Sequence, residues 1–223
     1  MSTEQINVIF YFDPSCPFCW ITSRWLELVG EHRDISVAWR PFSLALKNNE
    51  LNGTESDDTT PHGVGHRQAH RVLRVIASAQ QAGADVGKLY QSFGYEHFIN
   101  KQPYDDDTIE KVLSTHKLSV DLAHGADDTT LDAGLRASLD SALDIVGDDV
   151  GVPIIVFDNT DEKPVGFFGP VLQRLPDTET ALTLWDGLTT LGTNHDFYEL
   201  KRTRPAGGPD VSSTATLSDS SHR

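Results

Sequence analysis

Residues 7–25 read NVIFYFDPSCPFCWITSRW, and the change of character within this stretch decides the fold. From Asn7 to Phe12 it is a short apolar run rich in β-formers, which suits a strand buried on both faces. Asp13-Pro14 ends that strand. From Pro17 to Val29 the apolar residues Phe18, Ile21, Trp25, Leu28 and Val29 recur at helical spacing, with a proline in the first turn and Gly30 placed to stop the helix. Cys16-Pro17-Phe18-Cys19 therefore opens a helix that follows directly on a strand.

Downstream, Ile35 to Phe42 (ISVAWRPF) begins with alternation and ends near a proline, as expected of a second strand parallel to the first. Residues 47–61 are polar and turn-rich, a loop leaving the sheet. From Pro61 to Gly147 no convincing strand occurs. Helical spacing appears instead in Val72, Val75, Ile76 and Ala79, in Ile109, Val112, Leu113 and His116, and in Leu131, Leu135, Leu139, Ala142 and Val146. Strand character returns in PIIVFD, turns through NTDEKP and runs through VGFF into Gly169-Pro170, an antiparallel hairpin. Asp177 caps a last helix whose apolar face is Ala181, Leu184, Trp185, Leu188 and Leu191, stopped by Gly192. This order predicts an α/β thioredoxin-like fold with an all-helical insertion: residues 1–46 and 148–204 form a discontinuous thioredoxin-like domain, and 47–147 form the loop and insertion. Residues 205–223 lack periodicity and are expected to be a disordered tail.

The formal charge of -15 opposes binding to nucleic acid or anionic membrane, and no basic stripe reverses it locally. The N-terminal residues show no secretory signal pattern, so a cytoplasmic protein is expected. Asn52-Gly53-Thr54 then reads as a turn rather than a glycosylation acceptor. The chain has two cysteines, too few for a disulfide scaffold; in a reducing compartment such a pair is catalytic or metal-binding.

Disulfide exchange needs a thiolate, and a helix N-terminus favours one at Cys16 through free N–H groups and the positive end of the helix dipole. Cys19, one turn on and buried by Trp20 and neighbouring apolar groups, is placed to resolve a mixed disulfide. The competing reading of a lone CxxC is half a zinc site, but such sites want four ligands and usually a second CxxC or paired histidines. Gly151-Val152-Pro153, just before a strand, reads either as a first-residue proline or as a cis peptide at Val152-Pro153 that offers backbone groups to a sulfur-bearing substrate.

Other signals are weaker. His66 and His70 in HRQAH share a helix face, yet Arg67 stands where a metalloprotease would carry glutamate, so no metal is expected. Arg67, Arg71 or Arg74 would hold an anionic substrate group if this helix lined a cleft. Gly166 to Pro170 reads as core, and FYELKRTRP (197–205) as a final turn packing on the domain or a partner-docking tail. With neither GxGxxG after a strand nor a Walker sequence, no tightly bound cofactor is expected.

FDPSCPFCWITSRW, the GVP turn and the element order resemble the DsbA-like branch of the thioredoxin superfamily. More narrowly, FDPSCPFCWITSRWL, ALDIVGDDVGVPIIVFD, FFGPVL, LWDGL and FYELKRTRP resemble the actinobacterial mycothiol-dependent reductase and nitroreductase group. The resemblance implies a cytoplasmic protein that cycles between dithiol and disulfide and is reduced by mycothiol, with Cys16 and Cys19 as the redox pair and Pro153 as the cis-proline. Pro17, Phe18, Val152 and Pro153 would then contact substrate. Phe18 departs from the tryptophan of the best-known members. A thiol-dependent isomerase, a kappa-type transferase and a chaperone-like or zinc-binding module are the alternatives.

Overall fold

The computed structural model describes residues 5–51, 59–157, 163–192 and 194–215. A four-stranded sheet in the order β2-β1-β3-β4 is built from β1 (Ile6–Phe12), β2 (Ile35–Pro41), β3 (Ile154–Phe157) and β4 (Val165–Phe168). β2 runs parallel to β1 from Ile6↔Ile35 to Phe12↔Pro41, joined through helix α1 (Pro17–Gly30). β3 returns antiparallel on the other side of β1 from Tyr11↔Ile154 to Val8↔Phe157, and β4 completes a hairpin with it. This is a thioredoxin-like sheet carrying a helical insertion.

The central position of β1 accounts for its unbroken apolar end: Phe10, Tyr11 and Phe12 are all buried, so both faces are covered. Tyr90 lies over Phe12 with ring centroids 4.0 Å apart, and Trp39 of β2 meets Phe10 edge-on at 5.3 Å. Helix α7 (Thr178–Gly192) closes the fold beside α1: the Trp25 indole N–H donates to the Ala181 carbonyl at 3.0 Å, and the Trp25 and Trp185 rings lie 5.8 Å apart. A Cβ at Gly192 would run into the Phe157 ring, so the glycine permits the close approach of α7 to β3.

The insertion contains α2 (Leu44–Lys47), α3 (Pro61–Gln81), α4 (Val86–Gly94), α5 (Asp106–Thr115) and α6 (Asp132–Val146). A π-helical turn at Tyr95–Ile99 continues α4, and short 3₁₀ segments precede α6. The expected apolar faces of α3, α5 and α6 are buried at Val72, Val75, Ile76, Ile109, Val112, Leu135 and Leu139. Helix α4 is an addition to the expected elements, although Val86, Leu89, Tyr90 and Phe93 carry the required spacing.

Three expectations need correction. Leu184 is 44% exposed, because α1 and β3 cover only a narrow stripe of α7 centred on Ala181 and Trp185. Phe168 is 40% exposed at the end of edge strand β4, whereas Phe167 packs on Phe197. The segment after Pro205 is ordered as far as residue 215: Asp210 N–H donates to Gln173 O at 2.7 Å, Leu175 N–H to Ser213 Oγ at 2.9 Å, and a 3₁₀ turn forms at Val211–Thr214. Hydrogen bonds, to which hydrophobic periodicity is blind, give this segment its order. The Asn52-Gly53-Thr54 turn, most of the turn through residues 159–164, and residues 216–223 lie outside the described residues.

Candidate active site

Cys16 is the N-cap of α1, with φ −85° and ψ 109°, and its sulfur accepts the Cys19 backbone N–H at 3.3 Å. A thiol thus takes the place usually held by Ser, Thr, Asp or Asn, at the positive end of the helix. The Cys16 N–H donates to Asp13 O at 3.0 Å, which closes the turn out of β1. Across the sheet, the Cys16 thiol donates to the Val152 carbonyl at 3.5 Å, and the Val152-Pro153 peptide is cis. Cys16, Cys19, Val152 and Pro153, separated by more than a hundred residues in the chain, therefore meet. Pro17 and Phe18 occupy the first turn of α1, half-buried at its mouth.

The two sulfurs differ in access: Cys16 is 8% exposed and Cys19 0%. Burial above all, then the hydrogen bond and charge of Cys16, push the Cys19 thiol well above its ordinary value. Cys19 is enclosed by the main core, not by Trp20 as the sequence suggests. Trp20 points away into a separate cluster with Ile21 and Phe98, stacking on Phe98 at 5.8 Å and donating from its indole N–H to Thr214 Oγ1 at 2.9 Å. Successive helical residues point about 100° apart, which turns Trp20 off the face that Cys19 presents to the main core.

Three supporting residues escape the sequence reading. Asp13, read only as a strand end, is fully buried; its carboxylate accepts from Ser15 N (2.8 Å), Ser15 Oγ (2.6 Å) and Leu44 N (2.8 Å). Burial raises its pKa, opposed by these hydrogen bonds. Asp13 thereby ties the active-site turn to the N-terminus of α2. Tyr104 donates from its hydroxyl to Pro14 O at 2.9 Å and braces the same turn from the insertion. The buried Tyr90 phenol is pushed well above its ordinary value by burial first, then by the charge of Cys19 and Cys16.

His66 and His70 are interior groups committed to separate carboxylates. His66 Nδ1 lies 2.8 Å from Glu50. His70 Nδ1 is 2.8 Å from Ser43 Oγ and its Nε2 is 2.9 Å from Asp132. A neutral His70 satisfies both contacts when Ser43 donates to Nδ1 and Nε2–H donates to Asp132. Arg74 forks onto Asp132 at 2.6 and 2.7 Å, and Arg71 bridges Asp106 and Asp127. These ion pairs replace the anion-binding role suggested for Arg71 and Arg74: the two guanidiniums brace the insertion internally.

Burial first, and then the charge of Arg74, hold His70 below its ordinary value against the pull of Asp132. The unfolded chain then binds a proton at a pKa of about 6.5 that the folded chain refuses until lower pH, so stability declines as pH falls through that window. The urea midpoint should drop between pH of about 7.5 and 5.5, and drop less in His70→Gln. Some slope remains in the variant because burial also lowers His97. An unchanged slope would remove His70 from this account.

A thioredoxin-like sheet, a CxxC pair opening the first helix and a cis-proline turn against the N-terminal sulfur define a thiol-disulfide oxidoreductase of the DsbA-like class. Solved structures share the architecture. Cytosolic disulfide reductase DsbM from Pseudomonas aeruginosa is similar with TM-score 0.56 and 12% identity, over 83% of this chain and 99% of that one. The "probable DsbA oxidoreductase SCO1869" from Streptomyces coelicolor gives TM-score 0.57 and 18% identity, over 92% and 99%. The chain belongs to the Rv2466c-like family, that of the mycothiol-dependent nitroreductase Rv2466c, whose model matches residues 15–202. A curated relative, the uncharacterized protein Rv2286c of Mycobacterium tuberculosis, is 28% identical over 208 residues, covering 92% of this chain and 84% of that protein. Among the described residues, no helix is long and apolar enough to cross a membrane.

Proposed function

We propose that this protein is a cytoplasmic reductase of disulfides, or of thiol-reactive and nitro small molecules, that draws its electrons from mycothiol through Cys16 and Cys19. The observation that carries this reading is the asymmetry of the pair: Cys16 caps the helix, retains access and faces the Val152 carbonyl, whereas Cys19 is sealed in the core. The Cys16 thiolate attacks a substrate disulfide, forming a Cys16–substrate disulfide and releasing one substrate thiolate. Cys19, on losing its proton, attacks the Cys16 sulfur; the second substrate thiolate leaves and a Cys16–Cys19 disulfide forms. Two molecules of mycothiol restore the dithiol and leave as their own disulfide. A nitro substrate takes two electrons and two protons from the same dithiol, giving a nitroso group and water. Pro17, Phe18, Val152 and Pro153 form the surface against which the substrate chain lies.

The test is a redox titration of the Cys16–Cys19 pair with mycothiol and glutathione compared as reductants. A reversible two-electron transition, reached faster with mycothiol, is the expected result. Turnover without any internal disulfide would replace this reading with a thiol-binding transferase or isomerase.

A further inference from the structure

The segment 197–205 forms a strap pinned at both ends. Phe197 packs on Phe167 at one end, 5.8 Å between ring centroids. At the other, Gly208 O accepts from Gln173 Nε2 at 2.9 Å, Asp210 N–H donates to Gln173 O, and Thr214 holds the Trp20 indole. Between these anchors the strap reaches the first turn of α1, where the Arg204 guanidinium lies over the Phe18 ring, 5.2 Å from its centroid. Phe18 is the residue immediately before Cys19, two positions from Cys16.

The strap is cationic in a chain with 18 basic and 33 acidic residues. Lys201, Arg202 and Arg204 are exposed, and among the described residues none of them forms an ion pair. Arg33, Arg71 and Arg74, by contrast, are each matched to carboxylates. Lys201 lies three residues from Arg204, which bounds their backbone separation at about 11 Å. A guanidinium held over an aromatic ring spends no N–H donor on a carboxylate there, so its fork remains available for bidentate capture of one. With a screening length of about 8–10 Å at physiological salt, the surrounding negative surface is largely hidden from a ligand at the mouth, and the nearest charges dominate.

We propose that Arg204, assisted by Lys201 and Arg202, recognises a negative charge on the substrate beside the sulfur that Cys16 attacks, so that the enzyme selects anionic disulfides. This rests on the oxidoreductase reading above and adds the charge of the substrate to it. Arg204 is a specificity-determining residue, and the exchange chemistry runs without it.

The experiment measures kcat/KM of the full chain for three small disulfides of different charge: the dianion 5,5′-dithiobis(2-nitrobenzoate), neutral bis(2-hydroxyethyl) disulfide and dicationic cystamine. Arg204→Gln should lower kcat/KM for the dianion about tenfold, the low end of a charge-assisted hydrogen bond, and leave the neutral disulfide within about twofold. Arg204→Glu should also raise the rate with cystamine, and Arg204→Lys should retain part of the selectivity. Salt raised from about 0.05 M to about 0.5 M should erode the dianion's advantage in the wild type. An equal fall for all three disulfides in Arg204→Gln would make Arg204 a brace for the strap and overturn the proposal, as would no change for any. If the wild type reduces none of them, the oxidoreductase reading falls and takes this inference with it.

Discussion

Cys16→Ser should reduce disulfides no faster than free thiol in solution, whereas Cys19→Ala, with no external thiol supplied, should complete one attack and stop. The cause is the asymmetry between the sulfurs. Cys16 holds the helix N-cap and the remaining solvent access, so a serine there keeps the cap but offers no thiolate. Against ordinary enzymatic accelerations of about 10⁶-fold or more, loss of the nucleophile leaves no measurable catalysis. Cys19 is sealed from solvent, so it cannot act first, and its absence removes only the internal escape from the mixed disulfide. Mass spectrometry of Cys19→Ala after exposure to substrate should find the adduct on residue 16 and none in Cys16→Ser. Undiminished turnover in both variants would dismiss a dithiol mechanism altogether.

Trp20→Ala should cost about 3–5 kcal/mol of stability, the range for emptying a fully buried large aromatic site. Trp20 is 1% exposed, stacks on Phe98 and donates to Thr214, so it joins α1, the π-turn of the insertion and the C-terminal 3₁₀ turn. A Cβ at Gly94 would enter its indole ring, a measure of how tightly the site is closed. Trp20→Phe, which keeps most of the apolar contact but lacks the N–H, should lose about 1 kcal/mol. Hydrogen exchange should locate the damage: amides of residues 210–215 lose protection in both variants, and those of β1 in neither under native conditions. Denaturation midpoints matching wild type in Trp20→Ala would contradict the packing described above.

The contrast between these two sites shows what the sequence made legible. NVIFYF, the helix behind Cys16 and the hairpin after Pro153 were readable because their apolar residues recur at the period of the element, and CPFC needed only its place at a helix start. Helix α4 is also legible in the spacing of Val86, Leu89, Tyr90 and Phe93, although nothing local separates it from the long helical region around it. Asp13 was a different case: its partner Leu44 lies 31 residues away, and nothing local distinguishes a buried, hydrogen-bonded aspartate from one that ends a strand. The order after Pro205 was similarly hidden, because Thr214 meets Trp20 across 194 positions. Arg71 and Arg74 looked free for a ligand because Asp106, Asp127 and Asp132 come beside them only through helix packing. Local pattern revealed elements; long-range polar pairing, which fixes the site, left no local trace.

The contact between Cys16 and the Val152 carbonyl spans 136 residues of chain. Because β3 pairs with β1 only after the whole insertion has been made, a nascent chain carries its CxxC pair without the opposing turn for roughly 7–27 s at about 5–20 residues per second. During synthesis the pair is a bare peptide dithiol, open to any oxidant or thiol partner nearby. Closing this long-range pairing is entropically slow, as expected of high contact order, so the turn that faces Cys16 arrives well after the pair itself has been made.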